Sequence, residues 1–328
     1  MHDALYFEKL EGGKVRCTLC PHGCVIAEGK RGICRGRKNV GGMLKATNYA
    51  ETVSIALDPI EKKPLYHFYP GRDILSIGAN GCNFSCNFCQ NWEIAQRDAP
   101  TRHLSPEEAV SLALKNNSVG IAYTYTEPLI WYEYILDTAK IVRSKGLKNV
   151  LVSNGYINEE PLKALLPLID AMNIDVKSMD DQFYRRECKG SLEPVLRSVE
   201  LASKLVHVEV TNLIIPGLND SDDNFKRLAD WLSSLNPDIP LHFSAYRPCY
   251  KCTAPPTPDS TLLRALEIAS KKLNYVYLGN SRLKRGSDTL CPNCGKAVIK
   301  RSGFSVSKNN IVGGRCSFCQ EPVPVLDY

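Results

Sequence analysis

The chain has 328 residues, 44% of them hydrophobic and 23% charged, a composition that is typical of globular proteins and excludes wholesale disorder. Its formal net charge of +6 is too small to indicate nucleic-acid binding by itself. The apolar runs are much shorter than a membrane-spanning helix, and no basic segment followed by an apolar one opens the chain, so we expect a cytoplasmic protein.

Cysteine is unusually frequent in this chain. The fourteen cysteines include five Cys-x-x-Cys pairs. In a reducing compartment, thiols at this spacing favour metal or iron–sulfur binding over disulfides. Ligating cysteines are thiolates, so bound metals would offset most of the positive charge.

Residues 1–70 are predicted to form a Cys-rich amino-terminal module. Cys17, Cys20, Cys24 and Cys34 offer four thiolates within 18 residues. An auxiliary 4Fe–4S cluster and a structural zinc ion both fit this spacing, which does not separate them. The end of the module, residues 58–71, enters the next predicted strand from its amino-terminal side. We expect this segment either to be a structural belt or to wrap around the domain and contribute to the functional site.

Residues 71–283 alternate β-branched runs with amphipathic stretches, a pattern that is typical of a parallel β/α architecture. The predicted strands are 73–79, 119–124, 148–153, 171–176, 206–214, 241–245 and 275–278. The predicted helices cover about 105–117, 128–145, 159–167, 193–205, 221–235 and 259–272. Six or seven β/α units without a large insertion favour a barrel or partial barrel over a doubly wound sheet. In such barrels the chemistry lies on loops that follow the carboxyl ends of the strands.

Three cysteines follow the first predicted strand directly. Cys82, Cys86 and Cys89 have the spacing Cys-x3-Cys-x2-Cys, so three thiolates lie within eight residues. They can hold three irons of a cubane cluster and leave the fourth iron without a protein ligand. The alternative is a zinc knuckle that takes a fourth ligand from elsewhere in the chain.

Residues 284–328 are predicted to form a zinc-ribbon-like or rubredoxin-like module. Cys291 and Cys294 are separated from Cys316 and Cys319 by an interval close to that of zinc ribbons. We expect zinc at these four thiolates, although mononuclear iron would use the same turns. The remaining cysteines are expected to be ordinary reduced thiols, and they are Cys188, Cys249 and Cys252.

The three-cysteine motif resembles that of the radical S-adenosylmethionine (SAM) superfamily, over about residues 73–280. Its continuation Cys89-Gln90-Asn91 is similar to the pyruvate formate-lyase activating enzymes. Longer phrases resemble the radical SAM proteins of the AmmeMemoRadiSam system, and these are Cys17-Thr-Leu-Cys20-Pro-His-Gly-Cys24, Asp58-Pro-Ile-Glu-Lys-Lys-Pro-Leu-Tyr-His67, Cys89-Gln-Asn-Trp92 and Leu278-Gly-Asn280.

The resemblance implies a partial (β/α)6 barrel of the TIM type that binds a 4Fe–4S cluster and SAM. The amino and carboxylate groups of SAM would chelate the open iron. One electron from a low-potential donor would then release a 5′-deoxyadenosyl radical, which takes a hydrogen atom from a substrate. The family is known mainly beside two small companion proteins, which are expected partners. The substrate does not follow from the motifs.

The resemblance also assigns SAM contacts to the ends of strands two and three. Thr126 and Glu127 stand where relatives have Gly-Glu and are expected at the SAM amino group, a cation that a carboxylate can pair. Glu127 would otherwise be an acidic residue at a helix start. Ser153 and Asn154 are expected to hydrogen-bond SAM. Val152 replaces an aspartate of the activating enzymes, so the cation that some relatives hold there is in doubt.

Two later strands supply the remaining SAM candidates. Asp175 and Lys177 alternate with apolar residues and therefore share one strand face. The SAM carboxylate is a natural partner for Lys177, and an internal Asp–Lys salt bridge is the alternative. His242 matches a strand-end histidine that touches SAM in the activating enzymes, or else it is a buried structural residue. No residue is assigned to act on the substrate.

Two other functions remain alternatives. A nucleic-acid-binding protein with a structural cluster predicts basic residues interleaved with exposed aromatic ones on the carboxy-terminal module. Phe304 and Phe318 do stand among Lys300, Arg301 and Arg315 there. An activase would instead leave a radical on a glycyl radical protein. The complete set of SAM positions favours the SAM-cleaving enzyme over a nucleic-acid-binding protein, and no membrane partner is expected.

Overall fold

The computed structural model describes residues 1–327, in which strands and helices alternate through the middle of the chain. The strands are β1 (His2–Asp3), β2 (Phe7–Lys9), β3 (Val15–Cys17), β4 (Val25–Ile26), β5 (Arg37–Val40), β6 (Met43–Ala46), β7 (Glu51–Thr52), β8 (Ser54–Pro59), β9 (Asp73–Gly78), β10 (Arg102–His103), β11 (Gly120–Tyr123), β12 (Lys148–Ser153), β13 (Ala171–Asp175), β14 (His207–Ile214), β15 (Leu241–Ala245), β16 (Val276–Gly279), β17 (Thr289–Leu290), β18 (Ala297–Ser302), β19 (Ser305–Asn309), β20 (Ile311–Val312) and β21 (Arg315–Cys316). The α-helices are α1 (Trp92–Ala95), α2 (Pro106–Lys115), α3 (Tyr132–Ser144), α4 (Glu159–Leu165), α5 (Asp181–Phe183), α6 (Glu193–Ala202), α7 (Asp222–Leu235) and α8 (Asp259–Ala269). Short 3₁₀ turns cover Glu11–Gly13, Ile60–Lys62, Pro128–Trp131 and Leu166–Leu168, and a π-helix covers Tyr184–Cys188.

The largest sheet has eight strands in the order β16-β15-β14-β13-β12-β11-β9-β8. Its strands are parallel except β8, which runs antiparallel to β9 at one edge. All seven predicted strands are confirmed. The parallel strands follow the sequence order. Because crossovers between parallel strands are right-handed as a rule, this order puts the connecting helices on one face. The sheet is therefore a singly wound partial barrel, and the doubly wound alternative, which needs a reversal of strand order, is excluded.

Helix boundaries follow local capping. Ser105 accepts a hydrogen bond from the N–H of Glu108, whose carboxylate accepts from the N–H of Ser105, so α2 begins with a capping box. The helix predicted from residue 128 instead opens with the 3₁₀ turn Pro128–Trp131. The carboxylate of Glu127 accepts from the N–H of Leu129 and holds this tighter turn.

The amino-terminal module forms two small antiparallel sheets, β1-β6-β5 and β2-β3-β4, beside the barrel. A buried ion pair joins them to α3, where Arg37 donates to Glu133 over 2.7 Å and the two side chains are 1% and 3% exposed. Trp131 also donates its indole N–H to the carbonyl of Asn48. In addition, β8 contributes an edge strand to the large sheet. These contacts fix the module against the second β/α unit.

Residues 60–70 form a belt at the amino-terminal end of the strands. The backbone N–H groups of Tyr66 and His67 donate to the buried carboxylate of Glu209 on β14. Glu209 also accepts from the rings of His207 and His242. Burial raises the pKa of this carboxyl, but the hydrogen bonds from the two histidines outweigh it and hold the pKa well below its usual range. The belt thus closes one end of the barrel and leaves the other for chemistry.

The carboxy-terminal module packs against this belt through Arg301. Its guanidinium lies 3.4 Å from the Glu61 carboxylate and donates to the carbonyl of Tyr66. Arg301 is 7% exposed, so it holds the module in place and is not a surface contact for nucleic acid. Within residues 1–327, no helix combines the length and the apolar character needed to cross a membrane.

Candidate active site at the carboxyl ends of the strands

The cysteine loop, residues 78–91, follows β9 and carries Cys82, Cys86 and Cys89. Gly81 begins the turn with φ +104°, and a Cβ at this position would lie 2.3 Å from the carbonyl oxygen of Cys34. Only glycine satisfies both constraints. The close approach also places the amino-terminal module directly against the loop.

The end of the π-helix Tyr184–Cys188 clamps this loop. The carbonyls of Cys188 and Glu187 accept hydrogen bonds from the N–H groups of Ser85 and Asn87. The buried Cys188 thiol donates to the sulfur of Cys86 and lowers the pKa of that thiol. Both carbonyls come from the end of the π-helix Tyr184–Cys188. Backbone contacts between distant segments leave no local pattern, so no sequence signal identified them.

The spacing of the sulfur atoms separates two kinds of site. Cys291, Cys294, Cys316 and Cys319 place their sulfurs within 4.8 Å of one another, with contacts of 3.5 and 3.8 Å. Four sulfurs around one zinc ion lie about 3.8 Å apart, because Zn–S bonds are about 2.3 Å long and tetrahedral. Within residues 1–327 the other cysteine sets are not drawn together in this way. The carboxy-terminal set therefore fits a single metal ion.

Glu127 follows β11, and its buried carboxylate accepts three hydrogen bonds. It accepts hydrogen bonds from the hydroxyl of Ser153 at 2.7 Å and from the N–H groups of Asn154 and Leu129 at 2.8 and 2.9 Å. Burial raises the pKa of Glu127 to about 7 in spite of these donors. The buried carboxylate therefore joins the ends of strands β11 and β12.

The free energy of unfolding of the protein without SAM should fall as the pH rises through about 7, because Glu127 must then ionise in its buried site. A pKa raised from 4.5 to about 7 in the folded state corresponds to a loss of at most about 3 kcal/mol between these pH values. Glu127→Gln cannot ionise, so this loss should be absent from the variant. The difference in free energy of unfolding between wild type and variant should therefore change over this pH range. Denaturant titrations at pH 5 and pH 8 measure it, and a pH-independent difference would contradict the assignment.

Asn154 connects the end of β12 to the cysteine loop. Its Nδ2 donates to Asn83 Oδ1 at 2.8 Å and to the sulfur of Cys82 at 3.7 Å. Its Oδ1 accepts from the N–H of Tyr156. Asn154 therefore orients the first cysteine of the loop, and Ser153 orients Glu127.

Asp175 and Lys177 lie together after β13, as their alternation predicts. Lys177 Nζ is 2.8 Å from the Asp175 carboxylate, and the two side chains are 13% and 37% exposed. The N–H of Lys177 donates to the hydroxyl of Tyr184, which lies on the π-helix that clamps the cysteine loop. The pair is thus held beside the loop, with its carboxylate open to solvent.

The other two predicted residues have different surroundings. The hydroxyl of Thr126 donates to the carbonyl of Ala79 at 2.6 Å, which ties the end of β11 to the cysteine loop. His242 is the second residue of β15, and its Nε2 lies 2.6 Å from Glu209 while its ring stacks on Tyr277. The contacts of His242 are therefore those of the belt end of the barrel.

The four cysteines of the amino-terminal module line one cavity. Arg37 and Asn83 line it as well, and Asn83 is the immediate neighbour of Cys82. The Arg37 Nε–H is buried and has no acceptor within residues 1–327, although the other guanidinium nitrogens are bonded. An unpaired buried donor beside thiols fits an anionic group in the cavity.

Comparison with known proteins agrees with this geometry. Residues 76–232 match the family model of the radical SAM superfamily. An uncharacterized protein of Methanocaldococcus jannaschii is 47% identical over 99% of this chain and 100% of its own length. The pyruvate formate-lyase-activating enzyme of Clostridium pasteurianum is 25% identical over 47% of this chain and 67% of its own length.

A solved structure agrees on the fold. SuiB of Streptococcus suis bound to S-adenosylmethionine aligns with a TM-score of 0.53 at 13% identity, over 71% of this chain and 55% of its own. With the cysteine loop at the end of the first parallel strand and the family match over residues 76–232, the chain belongs to the radical SAM superfamily and is an enzyme that cleaves SAM reductively at a 4Fe–4S cluster to a 5′-deoxyadenosyl radical.

Proposed function

We propose that Cys82, Cys86 and Cys89 hold three irons of this cluster and leave the fourth iron to the amino and carboxylate groups of SAM. The single observation that carries the proposal is a loop with three cysteines in the Cys-x3-Cys-x2-Cys spacing, clamped at the carboxyl ends of the strands. The open end of the barrel supplies orientation and shielding for the radical.

We further propose that SAM binds to the groups around the ends of β11, β12 and β13. Thr126 and Glu127 would bind its amino group, Ser153 and Asn154 would add hydrogen bonds, and Lys177 beside Asp175 would pair its carboxylate. The hydrogen bonds that connect these residues to the cysteine loop support this set. His242 is bonded to Glu209, which supports a structural role for that ring.

The amino-terminal cysteines are proposed to hold a second 4Fe–4S cluster in preference to zinc. Two observations support this assignment: Cys17, Cys20, Cys24 and Cys34 line one cavity, and Arg37 offers it an N–H donor that has no acceptor within residues 1–327. Thiolates and sulfides accept hydrogen bonds, so the guanidinium would stabilise the negative charge of a cluster. For the carboxy-terminal set, zinc is proposed in preference to mononuclear iron.

Metal analysis distinguishes these assignments. The double replacement Cys17→Ala with Cys20→Ala should lower iron by about four per chain, because a cubane loses half of its ligands. The variant Cys291→Ala with Cys294→Ala should lose about one zinc and keep its iron. Elemental analysis of anaerobically reconstituted proteins measures both. Zinc loss from the first variant, or iron loss from the second, would show that the metals are assigned wrongly.

The remaining partners are proposed from the resemblance alone. They are a low-potential electron donor and the two companion proteins, and the cytoplasm is the proposed location. The boundaries between the three modules are also proposed, near residues 70 and 283. The burial of Arg301 removes one of the basic residues that favoured nucleic acid.

Electron paramagnetic resonance tests the proposed SAM site. In the reconstituted and reduced protein, SAM should change the signal of the reduced cluster, because it becomes a ligand of the open iron. Asn154→Ala should weaken this response, and Asn236→Ala, on the exposed end of α7, should not. An identical signal with and without SAM in the wild type would contradict the proposal.

A further inference from the structure

Residues 248–252, here called the thiol hairpin, follow β15 at the end of the barrel that carries the cysteine loop. The backbones of Cys249 and Cys252 form an antiparallel β-bridge within it, and the N–H of Cys252 donates to the carbonyl of Cys249 at 3.2 Å. Tyr250 has φ +59°, which gives the tight turn between them. Hydrogen-bonded antiparallel partners have Cα atoms about 5.5 Å apart, within the range that a disulfide spans.

The thiol hairpin packs on the cysteine loop through its side chains and its backbone. The thiol of Cys249 donates to the carbonyl of Cys89 at 3.6 Å, and the N–H of Lys251 donates to the carbonyl of Asn87 at 3.0 Å. The ring of Tyr250 stacks on Trp92, with centroids 5.1 Å apart and planes 11° apart. One thiol of the pair therefore lies against the third cysteine of the loop.

The buried side chain of Tyr246 forms hydrogen bonds with the backbone of both cysteines of the thiol hairpin. Its hydroxyl oxygen accepts from the N–H of Cys249 at 3.3 Å, and the hydroxyl donates to the carbonyl of Cys252 at 2.9 Å. Neither thiol belongs to a compact group of metal ligands within residues 1–327. A rigid dithiol beside the site, without a third ligand for a metal, is suited to redox chemistry.

We propose that Cys249 donates a hydrogen atom to a carbon-centred radical in the site and that Cys252 takes up the resulting sulfur radical as a disulfide. The proposal rests on the proposed function, since it needs the SAM-derived radical. An S–H bond is weaker than the C–H bond that forms, so the transfer is downhill. The thiol hairpin is thus assigned to the step that quenches the carbon-centred radical.

The step balances in atoms and electrons. The S–H bond of Cys249 breaks, and its hydrogen atom forms a C–H bond on the radical. The Cys249 sulfur then bonds to the Cys252 sulfur, whose proton goes to solvent. The disulfide radical anion gives its extra electron to a one-electron acceptor of the iron–sulfur class. A dithiol reductant restores the pair by exchange. The substrate class is then one that leaves as a closed-shell product, in contrast to an activase reaction.

Deuterium transfer in the absence of substrate tests the proposal, with the 5′-deoxyadenosyl radical as the probe. The anaerobic holoenzyme receives SAM in D₂O, where thiols carry deuterium, and photoreduced deazaflavin, which brings no thiol. Wild type should form 5′-deoxyadenosine with one deuterium and accumulate a Cys249–Cys252 disulfide, detected by peptide mass after alkylation. In Cys249→Ala, 5′-deoxyadenosine should still form, but the deuterium and the disulfide should fall to background. In Cys252→Ala, the deuterium should remain and the disulfide should disappear.

A separate measurement does not depend on turnover. Before SAM is added, the holoenzyme equilibrated with a dithiothreitol redox buffer should form the Cys249–Cys252 disulfide reversibly. Unchanged deuterium in Cys249→Ala, or a wild type that forms 5′-deoxyadenosine without this disulfide, would overturn the inference and leave the proposed function intact. A wild type that forms no 5′-deoxyadenosine would overturn both.

Discussion

Alanine at Cys82, Cys86 or Cys89 should abolish the formation of 5′-deoxyadenosine from SAM. Each substitution removes one of three thiolates that hold the cluster, and the remaining two cannot retain a cubane with a defined open iron. The expected effect is therefore a complete loss.

Chromatographic assay of 5′-deoxyadenosine, together with iron analysis, measures this effect. Cys319→Ala is the matched control, because Cys319 belongs to the carboxy-terminal set and supplies no ligand to this cluster, so its loss should leave cleavage in place. A cysteine-loop variant that still forms 5′-deoxyadenosine at the wild-type rate would contradict the assignment of the ligands.

The second large effect concerns Lys177. Lys177→Met should lower the affinity for SAM by roughly 30- to 150-fold, or about 2–3 kcal/mol, through loss of a charged hydrogen bond to the SAM carboxylate. The fold without SAM should tolerate the change. Asp175 is 37% exposed, so its carboxylate stays hydrated when the ammonium is removed, and the cost of about 3–5 kcal/mol for a fully buried unpaired charge does not apply.

Thermal unfolding and equilibrium binding of SAM separate the two roles of this lysine. Lys272→Met is a suitable control, since Lys272 also pairs with an aspartate, Asp230, at 3.1 Å but on the exposed surface. Lys272→Met should change neither the melting temperature nor the affinity for SAM by much. If Lys177→Met melts far below wild type yet binds SAM normally when folded, the lysine is structural.

Much of the fold could be predicted because β/α units leave a repeating local pattern. Strands β12 and β15 have the predicted bounds, and α2 lies within the predicted helix 105–117. The edge strand β8 was not predicted, because an antiparallel edge strand continues no β/α repeat. The π-helix at Tyr184–Cys188 was not predicted either, since its role depends on contacts with the distant cysteine loop.

The site could be predicted only where spacing along the chain carries the information. Cys82, Cys86 and Cys89 form a local motif, and Asp175 and Lys177 follow from strand alternation. His242 shows the limit, because strand periodicity tells which face a residue occupies but not which end of the barrel it serves. Its partner Glu209 lies on the neighbouring strand, and the belt that closes around both is distant in sequence.

The most direct test is a time course of the anaerobic, reconstituted wild-type protein with SAM and a strong one-electron reductant, in which methionine and 5′-deoxyadenosine are both quantified. We predict that the two products form in equal amounts and only when the reductant is present. Intact SAM after prolonged incubation, in protein with a full complement of iron and a reduced cluster, would contradict the assignment of this chain as a SAM-cleaving radical enzyme.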